Sequence, residues 1–295
     1  MRNNQERVRL KIRLMPLATL LQVFLPRWFT VYLARLLGII YFFLAKKRRW
    51  LIYENMQHIL GSGVTPKEIR RRTLRLFINY SICLTDLLRA PLLQREKLLS
   101  MVQFDGEKNF KQVIAKGKGV VLITAHIGNW DLAGVFLSRL GYKLVAVVEP
   151  IPQGVTQAMN RYRGIGGMEL IPLTEKNSME QVLEQKKILV LLADRDLTGR
   201  GLVLPCFDAK RSFPKGPAAF ALKYEVPIIL GYFVLNPKKG RPYLGVIEPE
   251  FHFQRCGDYK EDVFNLTQLI AQRINKLISE YPCQWFVFKA DWIKS

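Results

Sequence analysis

The sequence is poor in the residues that most often hold metals, with four cysteines and three histidines among 295 residues. The cysteines are scattered, without CxxC spacing or a histidine nearby, which argues against a zinc site and gives no disulfide framework. We therefore expect no metal site, and we expect buried free thiols of the kind found in a reducing compartment. The four are Cys83, Cys206, Cys256 and Cys283.

Acidic residues are scarce too: Asp and Glu number 24 against 45 Lys and Arg, so the formal net charge is +21. A charge of this sign attracts polyanions, either nucleic acid or an anionic membrane surface. The sequence has no recognisable nucleic-acid-binding module, and its basic residues crowd an apolar N-terminus. We therefore expect an anionic membrane surface as partner and no nucleic acid, which stays the third alternative.

Internal repeats, low-complexity segments and linkers are absent as well, so no composition shift divides the main part of the chain. A chain of 295 residues is long enough to bury a substantial core. We predict two parts, a basic and apolar membrane-attachment segment over residues 1–50 and one α/β domain over residues 51–295.

The N-terminal segment carries a long apolar run, residues 14–45, which only Arg27 and Arg35 interrupt, followed by KKRR at 46–49. The run is too long for a cleaved signal peptide. Arg35 falls near the middle of the stretch that approaches spanning length, and a charge in mid-bilayer is costly. A peripheral helix lying in the membrane interface fits better than a single spanning anchor. A buried helical hairpin of a soluble core is the alternative.

A second basic run, residues 70–75, lies on a predicted helix that Thr65 and Pro66 open. An N-cap threonine followed by proline in the first turn is typical of a helix start. Beside an apolar anchor, this run adds to the attraction for anionic lipid.

From Gly117 onward, short apolar runs rich in β-formers alternate with helical stretches. Such alternation predicts an α/β fold with a mostly parallel central sheet flanked by helices. The predicted strands are residues 120–125, 143–149, 188–194 and 226–235, and the predicted helices are residues 130–140, 154–162, 178–185, 217–224 and 259–281.

His126 follows the first predicted strand, and Asp131 lies five positions further on, past a Gly-Asn turn. In such a sheet, ligands collect at the carboxyl ends of the strands. On a continuous helix the two side chains would point about 140° apart, so they can meet only if the turn folds Asp131 back under the imidazole. The pair would then work as a general base. The alternative is a helix capped by Asn129 with a satisfied core histidine.

Other polar residues fall at neighbouring strand ends. Glu149 ends the second predicted strand and Asp194 the third, where the alternative is a turn stabilised by side-chain hydrogen bonds. Arg163 precedes a glycine turn and is suited either to a phosphate or sugar headgroup or to pairing with an acid. Lys215 stands before the helix that begins near Pro217, whose free amides are suited to an anion.

The chain contains five ordered motifs: AHIGNWDLAG (125–134), MNRYRGIGGMELIPL (159–173), LLADRDLTGRGLVLPCF (191–207), FPKGPAAFALKYEVPIIL (213–230) and YPCQWFVF (281–288). Together they resemble the lipid A biosynthesis acyltransferases of the lauroyl and myristoyl type, and in texture most of all the phosphatidylinositol mannoside acyltransferases of that family. The resemblance covers most of the chain.

The resemblance implies the glycerolipid acyltransferase α/β fold. It implies transfer of a fatty acyl group from an acyl thioester, carried by coenzyme A or acyl carrier protein, to a hydroxyl of a glycolipid. The acceptor would be a lipid A precursor or a phosphatidylinositol mannoside-like lipid at the cytoplasmic face of the bacterial inner membrane. No metal or tightly bound cofactor is implied beyond the thioester co-substrate. The alternative activity is an acyl thioesterase that uses the same dyad on water.

Carried over residue by residue, the resemblance makes His126 the general base, Asp131 its orienting acid and Asp194 an acidic position that supports the dyad. The substrate's own hydroxyl would take the place of a catalytic serine. Backbone amides near Gly128 are the expected oxyanion donors.

The same resemblance places Glu149 and Arg163 at the acceptor site, and we expect Asn129, Arg195 and Lys215 to contact substrate as well. Three features depart from related enzymes. Lys215 stands where the broader glycerolipid acyltransferases carry glutamate in F-P-E-G, residues 194–196 read DRD where many lipid A enzymes have a DQ-like pair, and FKADW (288–292) lacks a histidine- and arginine-rich tail.

Overall fold

The computed structural model describes residues 24–149, 167–236 and 240–293, together with Thr19, Gln22, Asn160, Arg163 and Gly164. Residues 1–13 lie outside the described residues, as does the predicted helix over 154–162 except for Asn160. The helices are α1 (Arg27–Leu44), α2 (Lys46–Leu60), α3 (Pro66–Arg89), α4 (Arg95–Ser100), α5 (Glu107–Ile114), α6 (Trp130–Arg139), α7 (Lys176–Glu184), α8 (Gly216–Tyr224) and α9 (Tyr259–Glu280). The strands are β1 (Val102–Asp105), β2 (Val120–Thr124), β3 (Leu144–Val148), β4 (Glu169–Pro172), β5 (Ile188–Leu192), β6 (Leu202–Cys206), β7 (Ala209–Phe213), β8 (Ile228–Leu235) and β9 (Tyr243–Ile247).

Seven of the described strands form one sheet in the order β1-β9-β8-β2-β5-β3-β4. Neighbouring strands are parallel except for β8 and β9, which are antiparallel. The predicted strands 120–125, 143–149, 188–194 and 226–235 coincide with β2, β3, β5 and β8, so the mostly parallel α/β sheet is confirmed. β2 reads VVLIT and is buried at every position, as a central strand covered on both faces requires.

Helices cover both faces of the sheet because side chains alternate between them along each strand. Ile123 faces one layer, where it shares a core with Leu266 of α9 and with residues of α7 and α8. Leu122 faces the other layer, where it shares a core with Phe77 of α3 and Leu132 of α6. The β6–β7 hairpin lies outside the large sheet.

Helix α1 packs along α3 through a narrow face of mostly small side chains. Thr30, Ala34, Gly38 and Phe42, four residues apart, are its buried positions. A Cβ added at Gly38 would lie 2.8 Å from the Cα of Ile78, so a side chain there would force the helices apart. Helix α1 is thus fastened to the α/β domain, and the predicted boundary at residue 50 falls inside α2.

The opposite face of α1 is apolar and exposed, which differs from the buried hairpin that the sequence allowed as an alternative. By length and composition α1 is long and apolar enough to cross a membrane, with a mean hydropathy of 1.4 and 22% of its residues buried. Its large exposed side chains are Trp28, Phe29, Tyr32, Leu33, Leu36, Leu37, Ile40, Phe43 and Leu44.

Helix α3 begins as its sequence predicts. The Thr65 hydroxyl accepts the Glu68 amide at 3.3 Å, and Pro66 is the first helical residue. The Glu68 carboxylate accepts from Arg71 at 2.7 Å and from Arg72 at 2.8 Å. Part of the basic run at 70–75 is therefore neutralised within its own helix.

All four cysteines are free thiols, but only two are buried, Cys83 and Cys206. Cys283 is half-buried and Cys256 is exposed, so the prediction of a buried thiol is wrong for Cys256. Cys256 lies in the surface loop before α9, where its amide donates to Asp262 at 2.8 Å and its side chain faces solvent.

Candidate active site

His126 lies on the turn that joins β2 to α6, and backbone hydrogen bonds hold this turn on two sides. The Gly128 amide donates to the Gln284 carbonyl at 2.8 Å, and the Asn129 amide donates to the Phe233 carbonyl at 2.7 Å. The His126 carbonyl accepts the Phe286 amide at 2.7 Å. We call residues 125–129 the catalytic turn.

The close approach of β8 requires glycine at position 128. Gly128 has φ +60°, and a Cβ there would lie 2.0 Å from the Phe233 carbonyl oxygen. The predicted strand–turn–helix around GN is therefore confirmed, with Asn129 as N-cap, since its Oδ1 accepts the Leu132 amide at 3.2 Å.

The acid on His126 is Asp194. The imidazole Nδ1 lies 2.9 Å from Asp194 Oδ1, and the His126 amide donates to Asp194 Oδ2 at 3.1 Å. A carboxylate only accepts, so Nδ1 carries a proton, and in the neutral imidazole Nε2 is the nitrogen with a lone pair. This is the tautomer that a general base needs.

Asp194 is held ionised in a buried place. Its side chain has no exposed surface, whereas that of His126 is 18% exposed. Burial alone would raise the pKa of the Asp194 carboxyl, but the charge of His126 and the hydrogen bonds from His126 and Trp285 outweigh burial and lower it to about 2. The pair therefore combines a buried anion with an accessible base.

Strand register explains why Asp194 reaches His126. β2 and β5 are parallel neighbours in which Thr124 pairs with Leu192. His126 and Asp194 each lie two residues beyond this pair, so they stand at the same level of the sheet edge.

Asp131 has a different partner from the one predicted. Its carboxylate accepts from Arg163 Nε at 2.7 Å and from Arg163 Nη2 at 3.4 Å, while Arg163 Nη1 donates to Asn160 at 2.9 Å. In the structure Asp131, on the first turn of α6, orients Arg163 instead of the imidazole. The turn does not fold the aspartate under the ring, and the carboxylate that lies there comes from the end of the neighbouring strand β5.

The side chain of Asn129 differs from the substrate contact that we predicted. It is buried, and its Nδ2 donates to the Cys83 carbonyl at 2.9 Å and to the Tyr243 hydroxyl at 3.2 Å. Its Oδ1 caps α6. Both ends of the amide are therefore used inside the protein, and Asn129 does not line the cavity beside His126.

The predicted oxyanion donors near Gly128 are also engaged elsewhere, since the amides of Gly128 and Asn129 both donate to backbone carbonyls. The next two amides, of Trp130 and Asp131, occupy the first positions of α6. Amides at those positions have no acceptor within their own helix.

A cavity of about 270 Å³ opens beside His126, between α6 and the sheet. Its wall is largely apolar, and its charged or titratable lining residues are His126, Asp131, Glu149, Arg163, Arg195 and Tyr232. A mostly apolar cleft with a few converging polar groups is the usual form of a ligand site.

Two glycines of the sheet line this cavity. Gly231 of β8 and Gly245 of β9 lie on the same sheet face. Gly231 pairs with Ile247, and Gly245 pairs with Phe233, two positions further along β8. A Cβ at Gly231 would come within 2.8 Å of the end of Ile247, and one at Gly245 within 3.1 Å of the Phe233 ring. Glycine inside a strand often marks a ligand that approaches closely.

The remaining predicted residues divide between the cavity and the surface. Arg195 lines the cavity, makes no hydrogen bond or ion pair with any described residue, and has a buried Nε without a partner. Glu149 lines it from the end of β3. Lys215 is exposed just before α8 and is not among the lining residues.

Two residues that the sequence did not indicate lie next to the His126–Asp194 pair. Trp285 donates its indole N–H to Asp194 Oδ2 at 2.8 Å. The guanidinium of Arg211, on β7, lies 4.7 Å from the Trp285 ring and 5.0 Å from the Trp292 ring. The motif YPCQWFVF was the available signal, but nothing in it indicated that its tryptophan reaches Asp194.

Within the part of the chain that the structure describes, no three His, Cys, Asp or Glu side chains cluster in a way that would hold a metal ion.

A buried carboxylate bonded to an imidazole, beside a largely apolar cavity at the carboxyl ends of parallel strands, is an arrangement typical of enzyme active sites. The family of bacterial lipid A biosynthesis acyltransferases matches residues 10–294 of the chain. The chain therefore belongs to that family, and it is an acyltransferase.

Curated relatives agree with the family. A phosphatidylinositol mannoside acyltransferase of Mycobacterium tuberculosis (strain CDC 1551 / Oshkosh) is 26% identical over 250 residues, which are 81% of this chain and 76% of the relative. That of Mycolicibacterium smegmatis is 26% identical over 247 residues, 81% of this chain and 78% of the relative. The crystal structure of the 1-acyl-sn-glycerophosphate acyltransferase PlsC from Thermotoga maritima aligns with a TM-score of 0.36 and 14% identity, over 83% of this chain and 97% of that one.

Proposed function

We propose that this acyltransferase moves a fatty acyl chain from an acyl thioester to a hydroxyl of a membrane glycolipid, with His126 as general base. The observation that carries the proposal is the His126–Asp194 pair at the mouth of the largely apolar cavity. A base beside an apolar cavity suits a reaction between a hydroxyl and an acyl chain.

In the proposed reaction, Nε2 of His126 takes the proton of the acceptor hydroxyl as its oxygen attacks the thioester carbonyl. Asp194 holds the ring in the required tautomer and stabilises the imidazolium that forms. The tetrahedral intermediate then collapses, the C–S bond breaks, and the imidazolium gives its proton to the thiolate. The amides of Trp130 and Asp131, at the first positions of α6, would donate to the oxyanion.

The cavity supplies separate places for the apolar and polar parts of the substrates. The acyl chain would lie against the sheet face that Gly231 and Gly245 leave open. Arg195, which has no partner among the described residues, and the Arg163–Asp131 pair would face the headgroup of the acceptor or the phosphates of the donor. The donor is acyl coenzyme A or acyl carrier protein, since a basic surface suits both.

The acceptor class rests on the relatives. The curated relatives are named phosphatidylinositol mannoside acyltransferases, and the family is named for lipid A biosynthesis. Both names describe glycolipids, so a glycolipid hydroxyl is the acceptor that we propose.

Membrane attachment rests on α1 and its surroundings. The exposed apolar face of α1 is followed at once by KKRR at the start of α2, a helix whose first turn holds no acid. The positive end of the helix dipole adds to these charges, and the combination favours anionic lipid. We propose that residues 1–50 attach the enzyme to the cytoplasmic face of the bacterial inner membrane, with α1 lying in the interface.

The test is acyl transfer from a radiolabelled thioester to a membrane glycolipid extract. His126→Ala should lower the rate by a factor on the order of 10²–10⁴, the usual worth of a general base. His58 offers a matched control, because its Nδ1 lies 2.6 Å from Asp208 Oδ1 in a second His–Asp pair outside the cavity. His58→Ala should keep near-normal transfer.

Two results would overturn the proposal. Near-normal transfer by His126→Ala would show that His126 is not the general base. Free fatty acid as the main product, with and without acceptor, would indicate a thioesterase that uses the same pair on water.

A further inference from the structure

A chain of side-chain hydrogen bonds links the first residue of α1 to the catalytic turn. Arg27 donates to Asp86 of α3 through Nε at 3.0 Å and through Nη2 at 2.7 Å. The Tyr243 hydroxyl donates to the same carboxylate at 2.7 Å. Asn129 then donates from Nδ2 to the Tyr243 oxygen at 3.2 Å. Four elements, α1, α3, β9 and the catalytic turn, meet in this chain.

The central members of this hydrogen-bond chain are fully buried, so breaking it would leave polar groups without partners inside the protein. Asp86 and Tyr243 have no exposed surface, and the side chain of Arg27 is 28% exposed. A buried carboxylate is tolerated only when it is paired and hydrogen-bonded. Arg27 supplies the charge and Tyr243 the second donor, so removing α1 from its seat would leave Asp86 buried without a cation.

Tyr243 is fixed as a donor toward Asp86. Burial, first, and the nearby Asp86 charge, second, raise the pKa of the Tyr243 hydroxyl well above its ordinary value. Its proton goes to Asp86 Oδ2, and its oxygen is then the acceptor for Asn129. The Tyr243 ring also stacks on Phe233 with 5.0 Å between ring centroids, and the Phe233 carbonyl accepts the Asn129 amide.

Asn129 connects this chain of hydrogen bonds to the backbone of the catalytic turn. Its side chain caps α6 through Leu132, and its amide closes the turn on β8. A shift of Tyr243 would therefore loosen the start of α6 and the turn that carries His126. None of Asp86, Tyr243 and Asn129 lines the cavity, so the effect on substrates would be indirect.

We propose that Asp86 and Tyr243 are positioning residues. Through Arg27, the conformation of the catalytic turn depends on the packing of α1 against α3. A change in the position of α1 would then change the position of His126. The catalytic part of this inference rests on the proposed function, whereas its structural part does not.

The structural part is tested by amide hydrogen exchange of residues 126–132 in the full chain. Tyr243→Phe removes one oxygen atom, and Arg27→Gln removes the cation. Both should speed exchange in this segment, although the hydrogen bonds of the Arg27 side chain go to Asp86 and not to the segment itself. Arg27→Lys keeps the charge and should restore part of the protection. Arg89→Gln is the matched control, since Arg89 also ties α3 to the segment before α1, through the Leu25 carbonyl at 3.1 Å, and has no link to the turn.

The catalytic part is tested by kinetics on the same variants. Tyr243→Phe and Arg27→Gln should each lower kcat by about three- to tenfold, a factor that corresponds to one ordinary hydrogen bond, and leave KM for both substrates unchanged. Because they act through one chain, the double variant should lose less than the product of the two single losses. Arg89→Gln combined with Tyr243→Phe should be multiplicative.

If the amide exchange rates of residues 126–132 in both Tyr243→Phe and Arg27→Gln equal those of the wild type, the inference is overturned, whatever the activity of the variants. Faster exchange with unchanged kcat would also overturn it, because the turn would then move without consequence for the reaction. A wild-type chain without transfer activity would contradict the proposed function alone, and the exchange experiment would still decide the coupling of α1 to the turn.

Discussion

Trp285 donates its indole N–H to Asp194 Oδ2 at 2.8 Å, the oxygen that also accepts the His126 amide. The other oxygen, Oδ1, is left for the imidazole. Trp285 thus holds the Asp194 carboxylate in place, and the carboxylate in turn orients the His126 imidazole. Arg211, stacked on the Trp285 ring, in turn holds the indole in place.

Removing the indole N–H should weaken this clamp. Trp285→Phe keeps an aromatic ring against Arg211 but leaves Asp194 Oδ2 with one donor fewer, and we expect kcat to fall about three- to tenfold. Trp292→Phe is the control, because Trp292 also stacks on Arg211 but donates to Asn55 at 2.8 Å. Steady-state transfer assays decide it, and equal losses in the two variants would contradict a specific role for Trp285.

The two aspartates of the site should give different kinetic signatures. Asp194→Asn removes the charge that stabilises the imidazolium, and kcat should fall by a factor on the order of 10²–10⁴. Asp131→Asn frees Arg163 and should raise KM for one substrate. Asp131→Asn and Arg163→Gln should be non-additive, since they break the same pair. A larger kcat loss for Asp131→Asn than for Asp194→Asn would show that the pairing with Arg163 is not the one used in catalysis.

Acid should unfold the protein partly through Asp194. Its pKa is about 2 in the folded protein against an ordinary 3.8, so the ionised carboxylate stabilises the fold above the ordinary value. This contribution is lost as pH falls from about 4 toward the folded pKa. Urea unfolding at a series of pH values should show a shallower decline in Asp194→Asn than in the wild type. Asp208→Asn, at an exposed acid, is the control, and identical slopes for wild type and Asp194→Asn would refute the prediction.

Filling the glycine positions should shorten the acyl chain that the enzyme prefers. A Cβ at Gly245 meets the Phe233 ring at 3.1 Å, and one at Gly231 meets Leu122 at 3.0 Å, so each methyl takes room from the cavity. We expect Gly245→Ala and Gly231→Ala to lower kcat/KM for long donors more than for short ones, by about tenfold. Gly63→Ala, where a Cβ meets nothing within 4 Å, is the control. A uniform loss at every chain length would place these glycines outside the acyl site.

Charges on the outer face of α1 should release the enzyme from lipid. Leu37 and Phe43 are each 52% exposed, and replacing both by glutamate removes apolar contact and adds repulsion from anionic headgroups. Sedimentation with phosphatidylglycerol vesicles should show a loss of about tenfold or more in binding. Phe264→Glu, at an exposed position of α9, should bind as the wild type does. Unchanged binding of the α1 variant would rule out this face as the lipid contact.

The sequence was sufficient for the central strands, the helix start at Thr65, the N-cap at Asn129 and the strand-end position of His126, because each depends on neighbours along the chain. It was insufficient for the acid on His126. Spacing favoured Asp131, whereas the contact with Asp194 follows from the register between β2 and β5, which no local pattern contains.

The cavity lay beyond sequence reasoning for a similar reason. Residues 226–235 were predicted as a strand, yet the meaning of Gly231 depends on its facing the same side as Gly245. β9, which carries Gly245 and Tyr243, was not predicted at all. It is short, and it pairs with β1, which lies far earlier in the chain, with Val102 opposite Tyr243. Partners that distant are set by packing and not by local propensity.

The segment 284–287 closes the catalytic turn through Gln284 and Phe286 and clamps Asp194 through Trp285. These residues leave the ribosome after every strand of the sheet, so a nascent chain can build its sheet long before it can hold the carboxylate in place. A chain that stops before residue 284 would lack the hydrogen bond on Asp194 and would also lose Trp285, Phe286 and Val287 from the core. It should therefore be both less stable and less active than the full chain.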